Sequence, residues 1–154
     1  MNRIRYFKRK VKELSLLTNV DIDIFTRKDD RLGQYTACVS VYLYCDTNEP
    51  IYLFRYNAKR IECLTKAEII NMVFHELGHI KFRHEYDNEK ELEQMEYEAE
   101  RFAILNLQKY FPQYYSLALL ALKEYETNEN PLYKKAFTRL YTEIIGKENE
   151  QVKQ

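Results

Sequence analysis

The stretch His75-Glu76-Leu77-Gly78-His79 is the part of this 154-residue chain on which both the predicted fold and the predicted chemistry depend. Two histidines four residues apart in a helix lie about 40° apart around its axis and one turn along it, so both imidazoles can bind one metal ion. A glutamate directly after the first histidine lies beside that ion, where it can take a proton from a bound water molecule. The stretch therefore predicts a metal site.

The residues before this stretch predict that it lies within a helix. Thr65 and Glu68 have the spacing of a capping box, which places the first helical residue at about Lys66. Apolar residues at helical spacing continue the pattern to about His84. Both histidines of the stretch are therefore expected in regular helical geometry.

A third metal ligand is expected from the next helix, predicted over residues 89–110. A hydrolytic zinc site needs three protein ligands and an open position for water. Glu98 follows His79 by nineteen residues, enough for the chain to turn and return antiparallel. It lies near a stripe predicted to be buried (Met95, Ala99 and Phe102), where a carboxylate needs a partner. Glu96 is its main rival as a ligand, and Glu100 is an alternative acceptor for the second nitrogen of a ligand histidine.

The remaining histidine, His84, is not expected to bind the metal. Five residues beyond His79 on the same helix, it lies about 140° further around the axis and is predicted to point elsewhere. The residues between them contain no glycine that would turn the chain back.

The HELGH helix, followed by Glu96-Tyr97-Glu98-Ala99-Glu100-Arg101-Phe102-Ala103, resembles the ImmA/IrrE-type metallo-endopeptidases. These are zincins, broadly thermolysin-like at the metal, and the resemblance covers roughly residues 20–110. It implies that His75, His79 and Glu98 bind zinc. It also implies that Glu76 is the general base that acts on a zinc-bound water in peptide hydrolysis, and that the partner is a protein or peptide substrate such as a transcriptional repressor.

Strand patterns precede the metal helix at residues 20–24, 35–45 and 51–56. Short polar connections, including residues 27–33, predict that the three strands form an antiparallel meander. We therefore expect an α+β, zincin-like fold in which a small antiparallel three-stranded sheet packs on the HExxH helix, with further helices after it. The strand at 51–56 is predicted to align an extended peptide by strand addition.

Helical spacing also predicts helices at residues 3–17, 114–125 and 132–145. The apolar stripes of the last two helices are most simply core, and a dimer or partner groove is the alternative. No repeat or Gly/Ser-rich linker divides the chain, so we expect one zincin-like domain over residues 1–147 and a frayed polar tail over residues 148–154.

Composition excludes several classes of protein. The chain has 24 basic and 24 acidic residues, which disfavours nucleic-acid binding as the main function. Three cysteines without a CxxC pair predict neither a disulfide framework nor a cysteine zinc site. The sequence contains no signal peptide or apolar membrane span, so a cytoplasmic location is expected.

Two questions stay open at the level of the sequence. A tyrosine, Arg83 or His84 could stabilise the oxyanion of a hydrolytic reaction, and the sequence does not choose among them. The alternative function is a catalytically silent zincin-fold protein that binds a partner without cleaving it. Glu76 favours catalysis, because a structural zinc needs no base and would be closed by a fourth ligand.

Overall fold

Helices form most of the described chain, which in this computed structural model comprises residues 2–20, 24–33, 35–43, 50–84 and 91–154. The helices are α1 (Arg3–Leu17), α2 (Ala58–Cys63), α3 (Lys66–Lys81), α4 (Leu92–Tyr110), α5 (Pro112–Glu124) and α6 (Pro131–Val152). The strands are β1 (Ile24–Lys28), β2 (Ala37–Leu43) and β3 (Pro50–Tyr56), and single 3₁₀ turns lie at Asp30–Leu32 and Tyr125–Thr127. The α+β class is confirmed.

The start of α3 follows from its local sequence. The backbone N–H of Glu68 donates to Thr65 Oγ1 at 3.2 Å, and the backbone N–H of Thr65 donates to Glu68 Oε2 at 2.7 Å. Two N–H groups that the first turn would leave without an intrahelical partner are satisfied in this way. The predicted capping box and the start at Lys66 are confirmed.

The sheet is mixed, and the prediction of an antiparallel meander is wrong for β1. The strand order is β1-β3-β2, with β2 antiparallel and β1 parallel to β3. The connection from β1 to β2 passes the end of β3, where the N–H of Asp29 donates to the carbonyl of Tyr56 and the N–H of Asn57 donates to that of Thr36, both at 2.9 Å. This connection places β1 on the far side of β3 from β2.

The strand boundaries also differ from the prediction. β1 runs to Lys28, within the segment predicted as a polar turn, whereas residues 21–23 of the predicted first strand lie outside the described residues. β3 is central and paired on both sides, so the strand at 51–56 is not free to take up a peptide. Among the described strands, β1 and β2 form the edges of the sheet.

The core has two parts. One cluster joins α1, the sheet and α3, and its largest fully buried members include Phe7, Tyr52, Phe54 and Phe74. The second joins α4, α5 and α6 around Ile104, Leu122, Ala136, Phe137 and Leu140. The core interpretation of the apolar stripes on the last two helices is confirmed for Leu122, Phe137 and Leu140, whereas Leu117 and Leu120 remain 56% and 57% exposed.

Two helix ends and one additional helix depart from expectation. α3 ends at Lys81, three residues before the predicted end. α6 continues through Gly146 to Val152, so residues 148–152 are helical rather than frayed. The short helix α2 was not predicted. None of the helices in the described ranges has the length and apolar character needed to cross a membrane.

Candidate metal centre

Three side chains converge between α3 and α4. His75 Nε2 lies 3.1 Å from His79 Nε2, and the Glu96 carboxylate lies 3.2 Å from the first of these nitrogens and 3.5 Å from the second. With metal–ligand bonds of 2.0–2.1 Å, the ligand atoms of a tetrahedral zinc are about 3.4 Å apart. The three groups therefore have the chemistry and the spacing of three zinc ligands.

The cluster borders a cavity and is not fully enclosed by protein. The side chains of His75, His79 and Glu96 are 15%, 18% and 20% exposed, and His75 and Glu96 form part of the cavity wall. An open fourth position distinguishes a catalytic zinc site from a structural one, which is closed by a fourth protein ligand. Within the described ranges, these are the only three His, Cys, Asp or Glu residues that lie close enough to share one ion.

A close helix crossing brings Glu96 to the histidines. A Cβ atom built on Gly78 would lie 2.9 Å from the Ala99 Cα and 3.0 Å from its carbonyl oxygen, so α3 and α4 touch through backbone at this point. Contact at this distance is possible only with glycine at position 78. One turn away from the contact, Glu96 faces the pair of histidines. The absence of a side chain at Gly78 and the small side chain of Ala99 therefore permit this close packing.

The structure places Glu96, rather than the predicted Glu98, at the two histidines. Two residues correspond to about 200° around a helix, so Glu98 lies on a different side of α4. Its Oε2 is 2.8 Å from His84 Nε2, and its Oε1 accepts a hydrogen bond of 3.1 Å from Gln94 Nε2. Glu96, which the sequence analysis named as the rival ligand, thus lies at the position expected for Glu98.

The helical period contains a signal that would have selected Glu96. The face of α4 towards α3 carries Glu96, Glu100, Ala103 and Leu107, at intervals of four, three and four residues, and the last three are buried. The prediction instead aligned Glu98 with Met95, Ala99 and Phe102, of which only Ala99 is buried. The buried alanines and Leu107 further along the helix define the stripe correctly.

His84 does not point away from the site, as the sequence analysis expected. The helix ends at Lys81, and Arg83 adopts a left-handed conformation with φ of 52°, which turns the chain back. His84 is consequently buried, with its Nδ1 2.8 Å from His79 Nδ1. It contacts the nitrogen of His79 that faces away from Glu96, so its exclusion as a direct ligand agrees with the geometry.

The other histidine of the cluster, His75, has a carboxylate at its Nδ1. Glu100 is buried, and its Oε2 lies 2.7 Å from His75 Nδ1, while its Oε1 accepts a hydrogen bond of 3.1 Å from Asn71 Nδ2. This is the outer-acceptor role named for Glu100 from the sequence. Each ligand histidine therefore has its Nε2 at the convergence point and its Nδ1 in a hydrogen bond.

Burial and mutual contact shift the pKa values of the convergent groups. Burial lowers the pKa of His75, but the adjacent Glu100 and Glu96 outweigh it and raise that pKa well above its usual value. Burial, followed by the charge of His75, lowers the pKa of His79 to about 3. Burial raises the pKa of Glu96, yet the hydrogen bond and charge of His75 bring it below the usual value.

Glu76 is a carboxylate next to the cluster but outside the set of ligands. Burial raises its pKa to about 7, an effect that the charge of His75 and the backbone N–H of Val39 partly offset. A carboxyl group with this pKa is able both to accept and to donate a proton near neutral pH. The N–H of Val39 also shows that the edge strand β2 passes beside Glu76.

A cavity of about 740 Å³ extends from the cluster along α5 and the start of α6. His75, Glu96 and Glu100 form part of its wall. The rest of the wall is largely apolar or aromatic, including Leu117, Leu120, Tyr114, Tyr125 and Tyr133. Four glutamates and no lysine or arginine line it, so its electrostatic character is acidic.

Comparison with known proteins returned no relative. No protein-family model, no curated protein and no solved structure matches this chain. Function is therefore inferred from the geometry of the site, and the resemblance to the ImmA/IrrE-type enzymes stays a prediction.

Proposed function

We propose that the protein is a zincin-like, zinc-dependent metallo-endopeptidase in which His75, His79 and Glu96 hold the metal. The observation that carries this proposal is the convergence of three possible ligand atoms at tetrahedral spacing, beside a cavity that His75 and Glu96 line. Zinc bound there would act as a Lewis acid that polarises a carbonyl group and makes water more acidic. The ImmA/IrrE-type resemblance belongs to the same proposal, with Glu96 in the place of Glu98.

Glu76 is the proton carrier in the proposed reaction. Its carboxylate takes a proton from the attacking water and delivers it to the leaving amine of the cleaved peptide bond. A base that must do both requires a pKa near the working pH, and burial raises the pKa of Glu76 to about 7. The position of Glu76 beside the ligands and outside their set supports hydrolysis over a purely structural metal.

Tyr133 is the proposed stabiliser of the oxyanion. Of the three groups that the sequence left open, Arg83 is exposed and His84 is engaged with His79. Tyr133 lines the cavity, packs on Phe137, which in turn contacts the His75 ring, and interacts electrostatically with Glu96 and Glu76. Burial raises its pKa to about 12, so the phenol keeps its proton at neutral pH and can donate a hydrogen bond.

The substrate is proposed to be an extended protein segment with apolar side chains, such as an exposed segment of a transcriptional repressor. The edge strand β2 beside Glu76 offers the backbone for strand addition, in place of the central strand β3. The acidic, largely apolar cavity disfavours aspartate and glutamate near the cleaved bond and accommodates large apolar side chains.

Substitution of Glu76 by glutamine tests the proposal most selectively. Because Glu76 is not a ligand, the Glu76→Gln variant should bind zinc as the wild type does, and its cleavage of an unstructured protein such as casein should fall by about 1000-fold or more. Zinc content and cleavage are measured on the same preparations. Undiminished cleavage by the variant would refute the assignment of Glu76 as the general base.

A pull-down with a candidate repressor distinguishes the alternative function. Stable capture by the wild type, together with no cleavage of casein, a peptide library or that repressor, would replace the peptidase by a zincin-fold binding protein. Capture by Glu76→Gln and cleavage by the wild type would support the peptidase, because a substrate then accumulates only on the inactive form.

A further inference from the structure

We propose that Glu98 and His84 form a relay that holds His79 in the tautomer that binds the metal. The inference rests on the metal centre of the proposed function and adds two positioning residues to it. Glu98, expected from the sequence to be a ligand, acts through His84 in this arrangement. Neither residue contacts the metal or the substrate.

The hydrogen-bond chain permits one arrangement of protons. His79 presents Nε2 to His75 and Glu96, so this nitrogen needs a free lone pair to bind zinc, and the ring proton must be on Nδ1. His79 Nδ1 lies 2.8 Å from His84 Nδ1, which must therefore accept. The proton of His84 is then on Nε2, where Glu98 Oε2 accepts it at 2.8 Å.

The relay is held in place at both ends. His84 is 6% exposed, packs parallel to Phe82 with ring centroids 5.8 Å apart, and follows the left-handed Arg83. At the other end, Arg139 Nη2 donates to Gln94 Oε1 at 2.8 Å, which turns the Gln94 amide so that its Nε2 donates to Glu98 Oε1. Both carboxylate oxygens of Glu98 thus face a donor.

This arrangement predicts an unusual order of mutational effects. In Glu98→Gln the new amide keeps its oxygen towards the Gln94 donor, so its NH₂ group faces His84 Nε2. His84 must then accept at Nε2 and donate from Nδ1, which forces His79 to carry its proton on Nε2. In Glu98→Ala the preference of His79 for the Nδ1–H tautomer is lost, but the opposite tautomer is not imposed. The isosteric variant is therefore expected to harm zinc binding more than the truncation.

The test is zinc affinity of the full-length protein at one fixed pH, measured by competition with a chromophoric chelator. Outer partners of metal ligands typically contribute 10- to 100-fold in affinity. We expect a loss of about 100-fold for Glu98→Gln and about tenfold for Glu98→Ala. Glu148→Gln is the matched control. Glu148 also accepts a partly buried hydrogen bond, from the Tyr115 hydroxyl, but it contacts neither His75 nor His79. Its affinity should equal that of the wild type.

A second-site substitution separates tautomer control from a merely structural effect. Removing the Gln94 donor frees the new amide to turn its oxygen towards His84, so Gln94→Ala should restore zinc affinity in the Glu98→Gln background by about tenfold. Nitrogen-15 NMR of the histidine rings reports the tautomer directly. His79 should carry its proton on Nδ1 in the zinc-free wild type and on Nε2 in Glu98→Gln.

Equal zinc affinity of the wild type and Glu98→Gln would overturn the relay, as would an unchanged His79 tautomer in that variant. If Glu98→Gln does not fold, weaker zinc binding by Glu98→Ala with His79 still fixed in the Nδ1–H tautomer would also overturn it. A wild type that binds no zinc overturns the relay and the metal centre together. If the wild type binds zinc and the Glu98 variants lose affinity as predicted, but the wild type cleaves no peptide, the relay is supported and only the peptidase is refuted.

Discussion

His75 and His79, the two histidines of the proposed metal centre, have different surroundings although they lie one turn apart on α3. His75 Nδ1 meets the buried carboxylate of Glu100 directly, whereas His79 Nδ1 meets another imidazole, that of His84, which in turn contacts Glu98. The pKa of His75 is raised well above its usual value, chiefly through hydrogen bonds and charges that outweigh burial, and burial lowers that of His79 to about 3. Each histidine is therefore linked to a carboxylate through its Nδ1, directly for His75 and through His84 for His79.

The difference shows how one helix can supply both a ligand and its support. Glu96, Glu98 and Glu100 lie on consecutive alternate positions of α4, and each has a distinct task because helical rotation sends it to a different partner. Glu96 faces both histidines, Glu100 faces one, and Glu98 reaches the other only through His84. Substitutions at these glutamates and at the helix contact therefore show how much each set of surroundings contributes to the proposed metal site.

Replacing Glu96 is expected to have the largest effect, because it removes the group common to both histidines. Glu96→Ala should weaken zinc binding by more than about 100-fold, exceeding the effect expected for loss of an outer partner. Chelator competition measures the affinity, and Glu98→Ala is the comparison variant. A smaller loss for Glu96→Ala than for Glu98→Ala would restore Glu98 as the third ligand.

Substitution of Gly78 by alanine should disturb both sides of the centre at once. Its new Cβ would lie 2.9 Å from the Ala99 Cα, so α4 must shift and carry Glu96 and Glu100 with it. We expect a loss of about 1–3 kcal/mol in the free energy of unfolding. Gly146→Ala is the control, because a Cβ at Gly146 meets nothing within 4 Å. Equal unfolding midpoints in urea for the two variants would refute the close crossing.

Glu100→Gln should act on the His75 side alone. Asn71, unlike Gln94, has a side-chain oxygen with no hydrogen-bond partner among the described residues, so its amide can turn to accept from the new NH₂ group. The new amide oxygen can then still accept from His75 Nδ1, but the charge that strengthens this bond is lost, so zinc affinity should fall by about tenfold. The same NMR measurement should show the tautomer of His79 unchanged. A shift of the His79 proton to Nε2 in this variant would show that the two sides are not independent.

Asp29 is a control position, because it belongs to neither the His75 side nor the His79 side of the proposed metal centre. Its carboxylate accepts hydrogen bonds from the side chain and backbone of Arg31 and also pairs with Arg55, and these contacts lower its pKa to about 2. Because the folded-state pKa is depressed, the contribution to stability is present above about pH 4 and is lost as the pH falls towards 2. Zinc affinity of Asp29→Asn should equal that of the wild type.

Urea unfolding at several pH values checks this expectation for Asp29. The wild type should be more stable than Asp29→Asn at pH 7, and the difference should shrink as the pH falls from about 4 to 2. A difference that stays constant over this range would show that the carboxylate charge contributes nothing there.

The parts of the molecule that depend on local sequence were predictable. The capping box at Thr65 and the helical spacing of His75 and His79 specify their own geometry, and both agree with the structure. Glu96 was within reach of the sequence, because the buried stripe through Ala103 and Leu107 identifies the inner face of α4.

The missed features depend on contacts between distant segments or on a single backbone torsion. Parallel pairing of β1 with β3 joins residues far apart in the chain, and the pattern of alternating residues is the same for either direction. The return of His84 depends on a left-handed conformation at Arg83, a residue type with no preference for it. Neither feature leaves a pattern in the sequence.

A crystal structure of the zinc-loaded protein, with anomalous diffraction recorded at the zinc edge, tests the proposed ligand set. This ligand set predicts one strong peak at about 2.0–2.2 Å from His75 Nε2, His79 Nε2 and a carboxylate oxygen of Glu96, with His84 and Glu98 outside this distance. A peak bound by Glu98 or His84, or a protein that takes up no zinc at this position, would contradict it.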